Sequence, residues 1–145
     1  MNETNLKIIR AAQEHFLRYG FKKTSVDEIA AEAGVGKGTI YNYFGNKEEL
    51  FIESTKNFHN QIIEEVSKEI SSIVNVEELI RAGLKARVNM ARTRMKAYGC
   101  TKCTLHENIE IIWDLKVIHW HEIDEMVENL RIGVEQGIFA TGNLR

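Results

Sequence analysis

One short run of the chain, Lys37-Gly38-Thr39 followed by Tyr41, Asn42 and Tyr43, gathers a cation, hydroxyls and an amide with no carboxylate among them. Such a set makes and breaks no covalent bonds. It offers hydrogen-bond donors and positive charge, which suits the base edges and phosphates of a nucleic-acid duplex read through its major groove. Lys37 is the candidate for reading guanine, Gly38 lets a backbone come close, and Thr39 suits a thymine methyl or a phosphate. Tyr41 and Tyr43 carry hydroxyls at the ends of stiff rings, and Lys47 follows at a helix start; all three suit phosphates. Upstream, Ser25 with Thr24 can do the same. Plain packing is the competing role for the two tyrosines, Tyr43 against the first helix, while Lys22 and Lys23 read as solvated charges.

These side chains need elements to hold them, and the surrounding residues supply each boundary. Ser25 and Glu28 have the S-x-x-E spacing of a capping box, so a second helix starts near Ser25, with Ile29, Ala30 and Ala33 inward. Gly34 supplies its tight exit. Lys37 to Phe44 form a third helix, with Val35, Ile40 and Phe44 pinning it inward and Lys37, Thr39, Tyr41, Asn42 and Tyr43 left outside. After Gly45, Asn46 with Glu49 opens a fourth. Before them, Leu6, Ile9, Ala12 and Phe16 stripe a first helix that ends at Tyr19-Gly20. Two short helices joined by a Gly turn have the grammar of a helix-turn-helix, which lays its second helix in the major groove.

Beyond Leu50 and Phe51, the fourth helix continues through Phe58, Ile62 and Val66 as a plausible lever. Asn75 caps a fifth carrying Leu79, Ile80, Leu84, Val88 and Met95 and stopping near Gly99. Leu105, Ile109, Ile112 and Trp113 suggest a sixth. Ile123, Val127, Leu130 and Val134 define a seventh that ends by Gly137. Phe58, Tyr98, Trp113, His119, Trp120 and Met126 are candidates to line a small-molecule pocket, since aromatic and Met side chains between helices offer apolar walls with polar tips. Each is also an ordinary core residue. Cys100, Cys103 and His106 place two thiols and an imidazole within two turns, with His119 and His121 later. They suit zinc, a softer metal or a thiol redox switch, although one C-x-x-C without a second pair is a weak signal, and two half-buried free cysteines are the plainer reading. No metal or other cofactor is therefore expected.

With 145 residues the chain can bury a real core, and the absence of Pro suits long helices. No segment approaches the roughly 20 apolar residues that cross a bilayer. The charged, helix-patterned start does not read as a signal peptide, so a cytoplasmic protein without a membrane partner is expected. A formal net charge of −2 is not that of a nucleic-acid binder, but through Lys47 there are seven Lys/Arg against five Asp/Glu and beyond it twelve against sixteen. The basic excess lies with the candidate reader. H-E-x-x-H, Gly-x-Ser-x-Gly, a Gly-rich phosphate loop and the Glu-x-x-His of di-iron bundles are all missing, so no enzyme is expected.

Residues 6 to 51 resemble the DNA-binding domain of the TetR family of transcriptional regulators. The matching elements are Ile8 to Ala12, Phe16, Gly20, Thr24-Ser25-Val26, Ile29-Ala30, Ala33-Gly34-Val35, Lys37 to Tyr41, Tyr43-Phe44 and Lys47 to Leu50. The resemblance implies an all-α protein. A helix-turn-helix domain over 1–47 is joined by a long fourth helix to a helical effector-binding and dimerisation domain over 48–145. It implies that Thr24, Ser25, Lys37, Gly38, Thr39, Tyr41, Asn42, Tyr43 and Lys47 meet a double-stranded operator. It further implies a homodimeric repressor released by a small-molecule inducer; a metal- or redox-sensing regulator and a helical adaptor that has lost DNA binding are the alternatives. Two positions depart from the pattern. Gly36 replaces the usual Ser or Thr before the recognition helix, at a cost of a few tenths of a kcal/mol, and Val26 replaces a polar residue, so helix two is expected to read little sequence. The family's last two helices, which pair in the dimer, are expected to be lacking here, since the sequence stops eight residues after Gly137.

Overall fold

The computed structural model of the chain describes residues 2–115 together with Arg131, Val134, Glu135 and Gly137. Those residues are all-α, with six helices and no strand among them: α1 Glu3–Tyr19, α2 Val26–Ala33, α3 Lys37–Phe44, α4 Lys47–Ile70, α5 Val76–Ala97 and α6 Lys102–Asp114. The expected seventh helix falls largely outside the described residues; Arg131, Val134 and Glu135 are helical and Gly137 is in a turn. No helix among the described residues is long and apolar enough to cross a membrane.

Local signals set the helix limits where the sequence placed them. Ser25 Oγ accepts from the Glu28 N–H at 3.1 Å and the Glu28 carboxylate accepts from the Ser25 N–H at 2.9 Å, which completes the capping box of α2. Gly34 ends α2 in the left-handed region, φ 67°, ψ 35°, which costs a residue with a Cβ about 1–2 kcal/mol. Asn46 Oδ1 accepts from the Glu49 N–H at 2.7 Å and opens α4, and Asn75 Oδ1 accepts from the Glu78 N–H at 2.9 Å and opens α5. The α6 cap pairs Thr101 with Thr104, each side chain accepting from the other's backbone N–H.

The described residues gather into two compact units, residues 2–61 with 92–115, and a second that includes 62–91. In the first, Ile8, Ile9, Ala12 and Phe16 of α1 meet Ile29 and Ala30 of α2, Ile40 and Phe44 of α3, and Leu50 and Phe51 of α4 in one apolar core. Phe16, Phe21 and Phe51 form a ring cluster with centroids 5.0 to 5.8 Å apart. Leu6, expected in the α1 stripe, is half-buried and Ile8 is buried instead. In the second unit Ile62, Val66 and Ala86 are buried, and a Cβ at Gly83 of α5 would make ordinary van der Waals contact with Ile70 Cδ1 at 3.6 Å. Leu84 and Val88 remain exposed.

Leu105, Ile109, Ile112 and Trp113 all lie on α6, as the sequence suggested, but they do not share one inward face. Ile111, Ile112 and Leu115 pack on the core, whereas Ile109 and Trp113 are exposed. The reason is Asn108, buried and doubly hydrogen-bonded, which fixes the inward face to 108, 111, 112 and 115.

Candidate nucleic-acid interface

The seating of α3 starts from two side chains. Ile40 is 1% exposed and Phe44 5%, four residues apart on one face, and both join the core beneath α1 and α2. Val35, half-buried, packs beside them just before the helix. The other face is open: Lys37, Gly38, Tyr41, Asn42 and Tyr43 are exposed and Thr39 is half-buried. A Cβ built on Gly38 would meet nothing within 4 Å, so the space this glycine leaves lies outside the chain. Gly36 occupies the N-cap with no side-chain hydrogen bond, as its identity dictates, and the Gly36 carbonyl accepts from the Thr39 N–H at 2.9 Å.

Charges around this face are lightly committed. Lys37 Nζ lies 2.8 Å from Asp27 Oδ2 of α2, with both side chains about half exposed or more. The hydrogen bond and charge of Asp27 hold the Lys37 pKa above its ordinary value, so it is a cation at any pH of interest. An exposed pair of this kind is readily exchanged for another anion. Lys47, at the first turn of α4, sits with Nζ 4.5 Å from the Phe21 ring centroid. Burial lowers its pKa, opposed by Glu48 and Glu107. Tyr43 accepts a hydrogen bond from Asn2 Nδ2 at 2.7 Å, which ties it to the cap of α1 and leaves its own hydroxyl proton to donate.

Upstream, the two hydroxyls part company. Ser25 is half-buried at the α2 cap. Thr24 is buried, 2% exposed, and its hydroxyl donates to the carbonyls of Gly20 at 2.8 Å and His15 at 3.1 Å. Its side chain closes the α1–α2 turn. Val26 is also buried.

Phe58 and Tyr98 are half-buried, the Tyr98 hydroxyl accepting from Gln13 Nε2 at 3.2 Å, while Trp113 is 66% exposed. His119, Trp120 and Met126 lie outside the described residues. Of the thiols, Cys103 is exposed and Cys100 Sγ lies 3.5 Å from Thr104 Oγ1; His106 leans on Glu110 at 3.4 Å. Among the described residues no three His, Cys, Asp or Glu side chains are grouped to hold a metal ion.

Residues that the sequence did not mark hold this unit together. Buried Gln13 bonds Tyr98 and, through Oε1, Asn57 Nδ2 at 3.0 Å. Asn108 Nδ2 donates to the Phe16 carbonyl at 2.7 Å and its Oδ1 accepts from the Phe21 N–H at 3.1 Å; Glu107 Oε1 accepts from the Lys22 N–H at 2.7 Å. The only sequence signal for these was an amide or carboxylate inside an apolar helix pattern.

Comparison with known proteins converges on one family. Residues 8–53 match the family described as bacterial regulatory proteins, tetR family. An uncharacterized HTH-type transcriptional regulator of Bacillus subtilis, YhgD, is 33% identical over 104 residues, 72% of this chain and 52% of that protein. The fatty acid metabolism regulator protein of the same organism is 38% identical over 73 residues, 50% of this chain and 38% of that protein. The chain thus spans about half the length, or less, of these curated relatives. Among solved structures, the transcriptional regulator FadR from Bacillus subtilis in complex with stearoyl-CoA matches with a TM-score of 0.69 at 26% identity, covering 94% of this chain and 74% of that one.

Proposed function

Starting from an N-terminal domain, residues 8–53, that belongs to the TetR family of bacterial regulatory proteins, we propose that the chain reads a specific duplex sequence through α3, represses transcription there, and is released by a small-molecule effector. One observation carries the reading: Ile40 and Phe44 bury one side of α3 while the opposite side presents donors and no carboxylate. Laid in the major groove, that side brings the helix start to the base edges. Lys37 exchanges Asp27 for guanine, Gly38 admits close approach, and Thr39 meets a thymine methyl or a phosphate. Asn42 stands one turn further on the exposed side. Tyr41, Tyr43, Ser25 and Lys47 anchor phosphates and carry no base information.

A single reading head covers one half-site, so the working unit is a homodimer whose heads span half-sites about 34–36 Å apart. An effector that favours a different head separation releases the DNA by shifting populations, and it must bind that state more tightly to do so. Phe58, Tyr98 and Trp113 are the described residues offered to the effector, with His119, Trp120 and Met126 as further candidates. Stearoyl-CoA, held by the similar Bacillus subtilis protein, is the first compound to try.

The test is duplex selection from a random pool followed by gel-shift titration across salt concentrations. A selected site bound with a steep fall in affinity as salt rises supports the reading; no enriched sequence, or salt-insensitive binding, overturns it.

A further inference from the structure

The open side of α3 is tied to neighbouring helices at two points, one near each end. Lys37 Nζ meets Asp27 Oδ2 of α2 at 2.8 Å. Near the other end, the Tyr43 hydroxyl accepts from Asn2 Nδ2 at 2.7 Å. Asn2 is itself held. It is the N-cap of α1, φ −82° and ψ 167°, its Oδ1 accepting from the Asn5 N–H at 2.9 Å and its carbonyl from the Leu6 N–H at 3.2 Å. With Oδ1 turned to the helix, the other arm of the amide is fixed as well, and Tyr43 lies where it points. Below, α1 is seated by buried Ile8, Ile9, Ala12 and Phe16, and Tyr43 is followed by buried Phe44. Glu3, the acidic residue in the first turn of α1, is occupied by Lys7 at 2.8 Å.

DNA would act differently on the two ties. Lys37 has to leave Asp27 before it meets a base, whereas Tyr43 keeps Asn2. A hydroxyl has one proton to give and two lone pairs. Asn2 fills a lone pair, so the proton is what Tyr43 offers an outside partner, and that partner has to be an acceptor such as a phosphate oxygen. A hydroxyl that already accepts one bond donates the next more strongly. We propose that Asn2 is a positioning residue: its side-chain amide fixes the Tyr43 hydroxyl as a ready donor to one backbone phosphate, in a chain that runs from amide to phenol to phosphate. Tyr41, on the same open side, makes no side-chain hydrogen bond among the described residues. Its ring is ordered only when DNA arrives, an entropic cost that Tyr43 is spared. The inference rests on the function proposed above and adds a residue of α1 to one of its phosphate contacts.

Asn2→Ser separates positioning from capping, because Ser caps a helix as well as Asn does, carries no charge and is too short to reach Tyr43. Its melting temperature is expected to stay within about 1 °C of the parent. Affinity for a selected duplex is expected to fall about two- to fivefold with base preference unchanged. Tyr43→Phe removes a charge-assisted bond and is expected to lose about tenfold or more. A merely structural Asn2 would not produce the coupling between the two: in a Tyr43→Phe background, Asn2→Ser is expected to change affinity by less than about 1.5-fold. The free protein gives a second readout by nitrogen-edited NMR. On Tyr43→Phe the Asn2 side-chain NH2 pair is expected to move toward the position of Asn89, which is exposed and has no side-chain partner among the described residues. Parent-like affinity in Asn2→Ser overturns the inference. So does an undiminished loss in the Tyr43→Phe background, which would place Asn2 on DNA itself, and so does an Asn2 NH2 pair indifferent to Tyr43→Phe. A parent chain that selects no duplex overturns the proposed function and the phosphate step together, whereas any of those three results beside a parent that binds overturns this inference alone.

Discussion

Replacing Ile40 by Ala removes three carbons from a side chain that is 1% exposed at the centre of the α3 seat. At roughly 0.8 kcal/mol per methylene-sized group the transfer loss is about 2.4 kcal/mol. The hole adds to it, because Ile8, Ile9 and Phe16 belong to α1, whose backbone cannot follow a vanished side chain on α3. A total of about 3–4 kcal/mol falls inside the range measured for such truncations. For a domain of this size each kcal/mol moves the melting temperature by about 2–4 °C, so thermal unfolding followed by circular dichroism should shift downward by roughly 6–16 °C. Tyr41→Ala, on the opposite, open side of the same helix, should stay within about 0.5 kcal/mol of the parent. An Ile40→Ala shift below about 3 °C, or a Tyr41→Ala shift as large as that of Ile40→Ala, would refute the assignment of inner and outer faces.

Ser25→Ala removes half of the capping box and should cost about 1 kcal/mol, read by chemical denaturation. Glu28 has its pKa lowered by the Ser25 backbone and side-chain hydrogen bonds, so its contribution is fully present above the unfolded value of 4.5 and disappears as pH falls through the lower folded value; Glu28→Gln should flatten that part of the acid stability profile. Lys37→Ala should relax base preference at one or two positions of a selected site, scored by repeating the duplex selection. Lys47→Ala should instead weaken all sequences alike and reduce the salt slope by about one, measured by titration at several salt concentrations.

The sequence was most readable where structure is local. The α2 and α3 limits follow from Ser25 with Glu28, Gly34, Gly45 and Asn46 with Glu49, all pairs or single residues within one turn of the boundary they set. The α3 faces follow from the four-residue spacing of Ile40 and Phe44. What escaped was set by partners far along the chain: Asn108 meets Phe16 and Phe21, Gln13 meets Tyr98, and no periodicity announces a hydrogen bond across 85 or more residues. The inward face of α6 was out of reach for the same reason, since Asn108 belongs to it and a hydrophobic count leaves it out. Thr24 is a local case of the same kind: its hydroxyl bonds the Gly20 and His15 carbonyls across the α1–α2 turn, which its place beside a helix start does not announce.

Methylation interference on a selected duplex tests the central claim most directly, because guanine N7 faces the major groove and adenine N3 the minor groove. If α3 lies in the major groove with Lys37 at the base edges, N7 methylation of one or two guanines in each half-site blocks binding and N3 methylation of adenines in the same half-site does not. Interference confined to adenine N3, or none at any base, contradicts it.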